Sequence, residues 1–140
     1  MVNILAAPEG SGKTQKMTDL ANNAVSMYNG NVVFIKKDHR NTKDFSFDLR
    51  VVCIDDYPTV RDEDALVSFI LGMSAANQDI EAVFIDGVYQ LIKVDVSDIQ
   101  PLLERLTRAS VNCDIEFFIS VSAKPEDMKK YESEEIKILA

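Results

Sequence analysis

A short glycine-rich segment near the start of the chain has the residue types and spacing of a phosphate-binding loop. Ala7-Pro8-Glu9-Gly10-Ser11-Gly12-Lys13-Thr14 fits the pattern G-x-x-x-x-G-K-[ST], with Ala7 in place of the first glycine. In such a loop backbone N–H groups point at a phosphate, a lysine neutralises the outer phosphates and a hydroxyl binds a metal ion. The residues predicted to supply these parts are Gly10, Gly12, Lys13 and Thr14, with Pro8, Glu9 and Ser11 completing the phosphate-binding segment.

A carboxylate at the end of a later apolar run is the partner that such a loop needs. The run is Val83-Phe84-Ile85-Asp86. An aspartate in this position is often a turn former or a helix cap. Together with a phosphate loop, however, it predicts a group that holds Mg²⁺ through water, opposite Thr14. The two motifs therefore predict a site for a nucleoside triphosphate with Mg²⁺, in which Thr14 and Asp86 serve the metal.

The cysteines and the single histidine form no pattern of their own. Cys53 and Cys113 lie among apolar, strand-forming neighbours without C-x-x-C spacing, so we expect buried reduced thiols. This spacing implies neither a disulfide framework nor a zinc site. His39, the one histidine of the chain, indicates neither a metal site nor a catalytic triad.

A dense basic cluster follows the second apolar run, and two interpretations of it stay open. One is a solvated loop, and the other is contact with phosphate, including phosphate in a neighbouring subunit's site. The cluster consists of Lys36, Lys37, His39, Arg40 and Lys43.

The elements that must position these residues are short apolar runs separated by amphipathic segments. Continuous apolar character is typical of buried parallel strands. Strands that alternate with helices favour a three-layer α/β fold with a five-stranded, mostly parallel sheet. Its ligand is expected at the carboxyl ends of the strands. The predicted strands are residues 2–6, 31–35, 51–54, 82–85 and 115–121.

Helix boundaries are predicted from capping residues. The helix after the glycine loop is expected to stop at Gly30 with a positive φ. Thr59 with Asp62, and Ser97 with Gln100, have the spacing of capping boxes for two further helices.

The length, composition and charge of the chain limit its domain count and its partners. A chain of 140 residues with 46% hydrophobic and 27% charged residues is expected to form one domain over residues 1–140. Residues 124–140 stay open as a helix, an edge strand or a frayed peripheral tail. The net charge of -8 disfavours nucleic acid and anionic membranes as partners. Because no apolar run is long enough to span a membrane and no signal-peptide pattern begins the sequence, a cytoplasmic protein is expected.

From residue 2 to residue 122 the chain resembles the RecA-type ATPases, which include recombinases, replicative helicases and clock-protein ATPases. A-P-E-G-S-G-K-T is close to the recombinase loop, N-V-V-F-I-K-K-D-H-R takes the place of the strand with the catalytic glutamate, and I-D-G-V-Y-Q-L is similar to the second aspartate motif. The resemblance implies a P-loop NTPase fold with ATP and Mg²⁺ as ligands. It places Asp38 where the water-activating glutamate stands, and Ser120 and Ser122 near the residue that senses the γ-phosphate. It also implies a homo-oligomer or a protein partner.

Three functions are compatible with these motifs. The first is a slow ATPase or ATP-dependent switch, in which Lys13 and Asp38 are catalytic. The second is a regulatory module that binds nucleotide without hydrolysis. The third is a small nucleoside kinase resembling thymidine kinase, because K-K-D-H-R is similar to that family's Lys and Asp-x-Arg, although Gly87 stands where its base would be. Absence of N-K-x-D from the sequence favours adenine over guanine.

Overall fold

The computed structural model describes residues 1–92 and 98–139, and its core is a six-stranded sheet. The strand order is β3-β2-β4-β5-β1-β6, and every pairing is parallel. The chain is thus an α/β protein, and the strands predicted from apolar runs are confirmed with shifts of a few residues at their ends. The strands are β1 (Val2–Ala7), β2 (Asn31–Lys36), β3 (Leu49–Cys53), β4 (Ile80–Ile85), β5 (Glu116–Ser122) and β6 (Ile136–Leu139).

The prediction of five strands was wrong, because the C-terminal segment adds a sixth. Val2–Leu5 of β1 pair in parallel with Ile136–Leu139 of β6. The preceding helix α5 (Pro125–Met128) buries Met128 completely in the core. Residues 124–139 are therefore an integral edge of the sheet and not a peripheral tail.

Helices cover both faces of the sheet. Helix α1 (Lys13–Met27) packs on one face, where Met17, Ala21 and Ala24 contact apolar side chains of the strands. The helices on the other face are α2 (Glu63–Ala76), α3 (Val88–Leu91), α4 (Ile99–Cys113) and α5. Because successive strand residues point to opposite faces, the core is divided into two apolar clusters. No helix in the described part of the chain is both long and apolar enough to cross a membrane.

The end of α1 differs from the prediction. The helix stops at Met27, and Tyr28 leaves it in an extended conformation. Gly30 is not among the residues with positive φ. Its importance is steric, because a Cβ atom there would collide with the backbone oxygen of Asp79. Glycine is required at this position by a close approach of two backbone segments and not by a left-handed turn.

The start of α2 is capped by Asp62 and not by Thr59. The carboxylate of Asp62 accepts a hydrogen bond of 2.8 Å from the backbone N–H of Ala65. The other predicted capping residue, Ser97, lies outside the described residues. Helix α4 starts after Asp98, whose side chain makes no capping hydrogen bond.

This difference gives a stability prediction. We expect Asp62→Ala to lower the free energy of unfolding by about 1 kcal/mol, since a lost N-cap leaves backbone donors of the first turn unpaired. Thr59→Ala, a control at an exposed residue, is expected to change it by less than about 0.5 kcal/mol. Urea denaturation of both variants is the measurement, and equal losses would contradict the assignment of Asp62 as the cap.

Candidate functional site

The register of the central strands aligns polar residues at one edge of the sheet. Ile35 of β2 lies opposite Ile85 of β4, which in turn lies opposite Ile119 of β5. The residues that follow these isoleucines therefore reach the carboxyl edge at the same level, and they are Lys36, Asp86 and Ser120.

The glycine loop enters this edge from β1, the neighbour of β5. Ala7, at the end of β1, is in register with Ser122 of β5. The helices that follow these two strands, α1 and α5, lie on opposite faces of the sheet. Such a divergence opens a crevice outside the carboxyl ends of the strands, where open α/β sheets bind their ligands.

The loop itself is curled by two glycines in the left-handed region. Gly10 has a φ of 78° and Gly12 a φ of 85°, and a Cβ atom at either position would meet nothing within 4 Å. Ser11 closes the turn, because its backbone N–H (3.3 Å) and its Oγ (2.6 Å) both donate to the carbonyl of Pro8. Space beside the backbone is what close approach of a ligand requires.

Helix α1 begins directly behind this loop with unpaired amides. Gly12 is its N-cap and offers no side chain, and no acidic residue occupies the first turn. The first backbone hydrogen bond of the helix runs from the N–H of Lys16 to the carbonyl of Gly12. The N–H groups of Lys13, Thr14 and Gln15 have no backbone partner among the described residues, so they and the positive end of the helix dipole can interact with an anion.

Lys13 has no carboxylate partner in the described part of the chain. Its Nζ donates instead to the carbonyl of Pro8, at 3.1 Å, on its own loop. A single neutral carbonyl does not neutralise an ammonium group. The lysine is thus a cation that can turn towards an incoming anion at little cost.

One cavity of about 460 Å³ joins the loop to the carboxyl edge of the sheet. This volume is within the usual range for small-molecule sites. Pro8 and Ser11, which were predicted to belong to the site, shape the loop and are not part of the cavity wall. The wall consists of Glu9, Gly10, Gly12, Lys13, Thr14, Lys36, Lys37, Asp38, Arg40, Asn41, Asp86, Gly87, Gln90, Ser120 and Ser122.

Asp86 is oriented by the neighbouring strand. The hydroxyl of Ser120, which is fully buried, donates to Asp86 Oδ1 at 2.8 Å and accepts from the N–H of Gly87 at 2.7 Å. Within the described residues no hydrogen bond engages Asp86 Oδ2. The carboxylate is therefore held in place while one oxygen stays available at the cavity that Thr14 also lines. These two groups are hard oxygen ligands of the kind that Mg²⁺ prefers.

Asp38 lines the same cavity but is engaged by Arg40. Its carboxylate accepts from the backbone N–H (3.1 Å) and from Nε (3.0 Å) of Arg40, and Nη2 of the guanidinium lies 2.9 Å from Asp38 Oδ2. The hydrogen bonds from the Arg40 side chain and backbone, in that order, lower the pKa of Asp38 below its ordinary value. A carboxylate with a lowered pKa is a weak proton acceptor, so Asp38 as placed here is a poor general base.

The basic cluster is divided by the structure. Lys36, Lys37 and Arg40 line the cavity, whereas His39 and Lys43 do not. Lys36 is 7% exposed, donates to the backbone carbonyl of Arg40 and lies 5.5 Å from the ring centroid of Phe45. The interpretation as a solvated loop is therefore incomplete, because part of the cluster faces the cavity.

Two wall residues escaped the sequence analysis. Asn41 has a φ of 57°, a conformation in which asparagine is enriched, but its position after Arg40 gave no reason to place it at the loop. Gln90 lies in the short helix α3, three residues after Gly87; it stands within I-D-G-V-Y-Q-L, but its residue type gave no reason to place it at the cavity.

Comparison with known proteins adds no assignment. No model of a protein family matches the chain, and no curated protein matches it.

Proposed function

We propose that this protein binds ATP with Mg²⁺ through the loop 8–14 and acts as a slow ATPase or ATP-dependent switch of RecA-like, P-loop type. The observation that carries the proposal is the single cavity to which the glycine loop, Thr14 and Asp86 all contribute. Three features suit the binding of a triphosphate: a curled loop with open space beside it, a helix N-terminus with unpaired N–H groups, and a lysine without a carboxylate partner among the described residues.

The glycine loop, Lys13, Thr14, Asp86 and Ser120 each have a definite part in this proposal. The amides of the loop and Lys13 bind phosphate oxygens and stabilise charge on the transferring phosphoryl group. Thr14 and Asp86 hold the metal, with Ser120 keeping the carboxylate in position. Mg²⁺, when bound, supplies neutralisation of phosphate charge. Glu9, which also lines the cavity, carries the same charge sign as the ligand and is expected to face away from the phosphates.

The contact of Asp38 with Arg40 favours slow ATP turnover. A water molecule can be oriented by Asp38 only when the carboxylate has a free lone pair directed at it. Here Arg40 donates to both oxygens, from its backbone N–H to Oδ1 and from its Nε to Oδ2, so the carboxylate is held against Arg40 and fewer lone pairs are left for water. A phosphate that attracts Arg40 would release the Asp38 carboxylate. Asp38 would then be free to orient water only while phosphate occupies the cavity. The non-hydrolysing module differs from this proposal only in lacking that release.

Ligand-dependent stabilisation tests the binding step. Mg-ATP at a hundredfold excess over its Kd is expected to add about 2.7 kcal/mol to the free energy of unfolding, since it binds only the native state. For a domain of this size the melting temperature should rise by about 5 to 10 °C. Thermal scans with Mg-ATP, Mg-GTP, Mg²⁺ alone and inorganic phosphate are the measurement, and a chain that responds to no nucleotide would refute the proposal.

Phosphate release from the unmodified protein and from the Asp38→Asn variant distinguishes the ATPase from the non-hydrolysing module. The amide keeps the shape of the carboxylate but cannot orient water as a base, so turnover should disappear while the affinity for ATP stays within a few fold. Turnover unchanged by the substitution would remove Asp38 from the chemistry. Binding without any release in the unmodified protein would favour the non-hydrolysing module.

A further inference from the structure

A histidine, a cysteine and an aspartate meet outside the nucleotide cavity, at the edge of the sheet beside β3. The ligand atoms of His39, Cys53 and Asp56 lie within 4.8 Å of one another. They come from two segments, since His39 follows β2 while Cys53 ends β3 and Asp56 lies in the 3-10 turn after it. None of these three residues lines the nucleotide cavity.

The aspartate determines which ring nitrogen of His39 carries the proton. Nε2 lies 2.9 Å and 2.8 Å from the two carboxylate oxygens of Asp56, and a carboxylate can only accept. Nε2 therefore donates its N–H to Asp56. In the neutral imidazole the other nitrogen, Nδ1, then carries a lone pair, and it faces the sulfur of Cys53.

The distance between Nδ1 and the sulfur suits two ligands of one metal ion. It is 3.6 Å. A tetrahedral ion about 2.3 Å from a sulfur and about 2.0 to 2.1 Å from an imidazole nitrogen separates these two atoms by about 3.6 Å. Metal-bound histidines characteristically donate their second N–H to a carboxylate, which is the arrangement of His39 and Asp56.

We propose that Cys53 Sγ and His39 Nδ1 bind a divalent transition-metal ion of the zinc class, with Asp56 orienting the imidazole. The ion takes the place of the thiol proton, which leaves to solvent, so the sulfur binds as thiolate. It approaches from the side of the imidazole, because the His39 side chain is 69% exposed whereas Cys53 is buried. Water completes the coordination. Sulfur and nitrogen ligands favour zinc-class ions over Mg²⁺, so this site is distinct in chemistry from the one at Thr14 and Asp86.

Cobalt titration of the full chain in excess Mg²⁺ tests this site, because Co²⁺ bound to a thiolate shows a sulfur-to-metal charge-transfer band in the near ultraviolet. We expect one equivalent to produce this band. Cys53→Ser should abolish it, His39→Gln should weaken binding at least tenfold, and Asp56→Asn should weaken it by about 10- to 100-fold. Cys113→Ser is the matched control, since it removes the other free cysteine and should leave the band intact.

The outcomes are separable from those of the nucleotide site. Lys13→Ala should leave cobalt binding unchanged, whatever it does to ATP. A protein that shows no charge-transfer band, or a band that persists in Cys53→Ser or is lost in Cys113→Ser, would overturn the proposal. His39→Gln keeps the test decisive should Cys53→Ser not fold, since this exposed side chain contributes nothing to the core, and unchanged binding in that variant would equally exclude the site.

Discussion

Lys13→Ala is expected to weaken Mg-ATP binding by about 10- to 150-fold and to abolish turnover. The lysine is the one loop side chain that brings positive charge to the cavity, and hydrogen bonds to charged groups contribute about 1.5 to 3 kcal/mol each. Its contact with the Pro8 carbonyl is a weak interaction that phosphate readily replaces. Isothermal titration with Mg-ATP, paired with an assay of phosphate release, measures both effects.

Lys16 provides the matched control for this substitution. It is an exposed lysine on the same helix, one turn beyond the loop, and it does not line the cavity. Lys16→Ala removes the same charge from the chain and should leave the affinity within a factor of about two. Equal losses in the two variants would mean that net charge, and not the placement of Lys13, controls ATP binding.

Phe84→Ala is expected to lower the free energy of unfolding by about 3 to 5 kcal/mol. Phe84 is fully buried at the centre of the sheet and stacks on Phe118 with 4.4 Å between ring centroids and on Phe34 with 6.2 Å. Truncation removes the burial of the ring and leaves a cavity that stiff neighbouring strands cannot close. Since domains of this size unfold with about 5 to 15 kcal/mol, the loss is a large part of the total.

Phe47 offers the corresponding control for the aromatic ring. It is fully exposed, so Phe47→Ala should change the free energy of unfolding by less than about 0.5 kcal/mol. Chemical denaturation followed by far-ultraviolet circular dichroism compares the two variants. A loss of under 1 kcal/mol for Phe84→Ala would contradict the packing described for the central strands.

Much of the sheet could be predicted from the sequence because its central strands are continuous apolar runs. Val83, Phe84 and Ile85 are buried on both faces, so their composition alone identifies a strand. The edge strand β6 has a weaker pattern. In Ile-Lys-Ile-Leu none of the residues is fully buried and the run is only four residues long, so its pattern does not distinguish a helix, an edge strand and a frayed tail. The pairing with β1 makes it an edge strand.

In the site, too, the residues of a contiguous motif could be predicted from the sequence, and contacts between residues on different elements could not. The glycine loop is a contiguous pattern, and Lys13, Thr14 and Asp86 all line one cavity. By contrast, the ion pair of Asp38 with Arg40, the packing of Gly30 against Asp79 and the meeting of His39 with Cys53 depend on side-chain directions and strand neighbours. No spacing rule encodes these contacts.

The order of strands has a consequence for synthesis on the ribosome. β1 pairs with β5, in register from Val2 with Phe117, and with β6, but with neither β2 nor β3. Strand β1 thus waits for β5, which is translated about 6 to 23 s later at about 5 to 20 residues per second, and for β6, which follows β5. Meanwhile β2, β3 and β4 can already pair with one another. The nascent chain therefore carries its glycine loop on an unpaired strand, and the wall shared by Lys13, Asp86 and Ser120 forms only when β5 is inserted between β4 and β1.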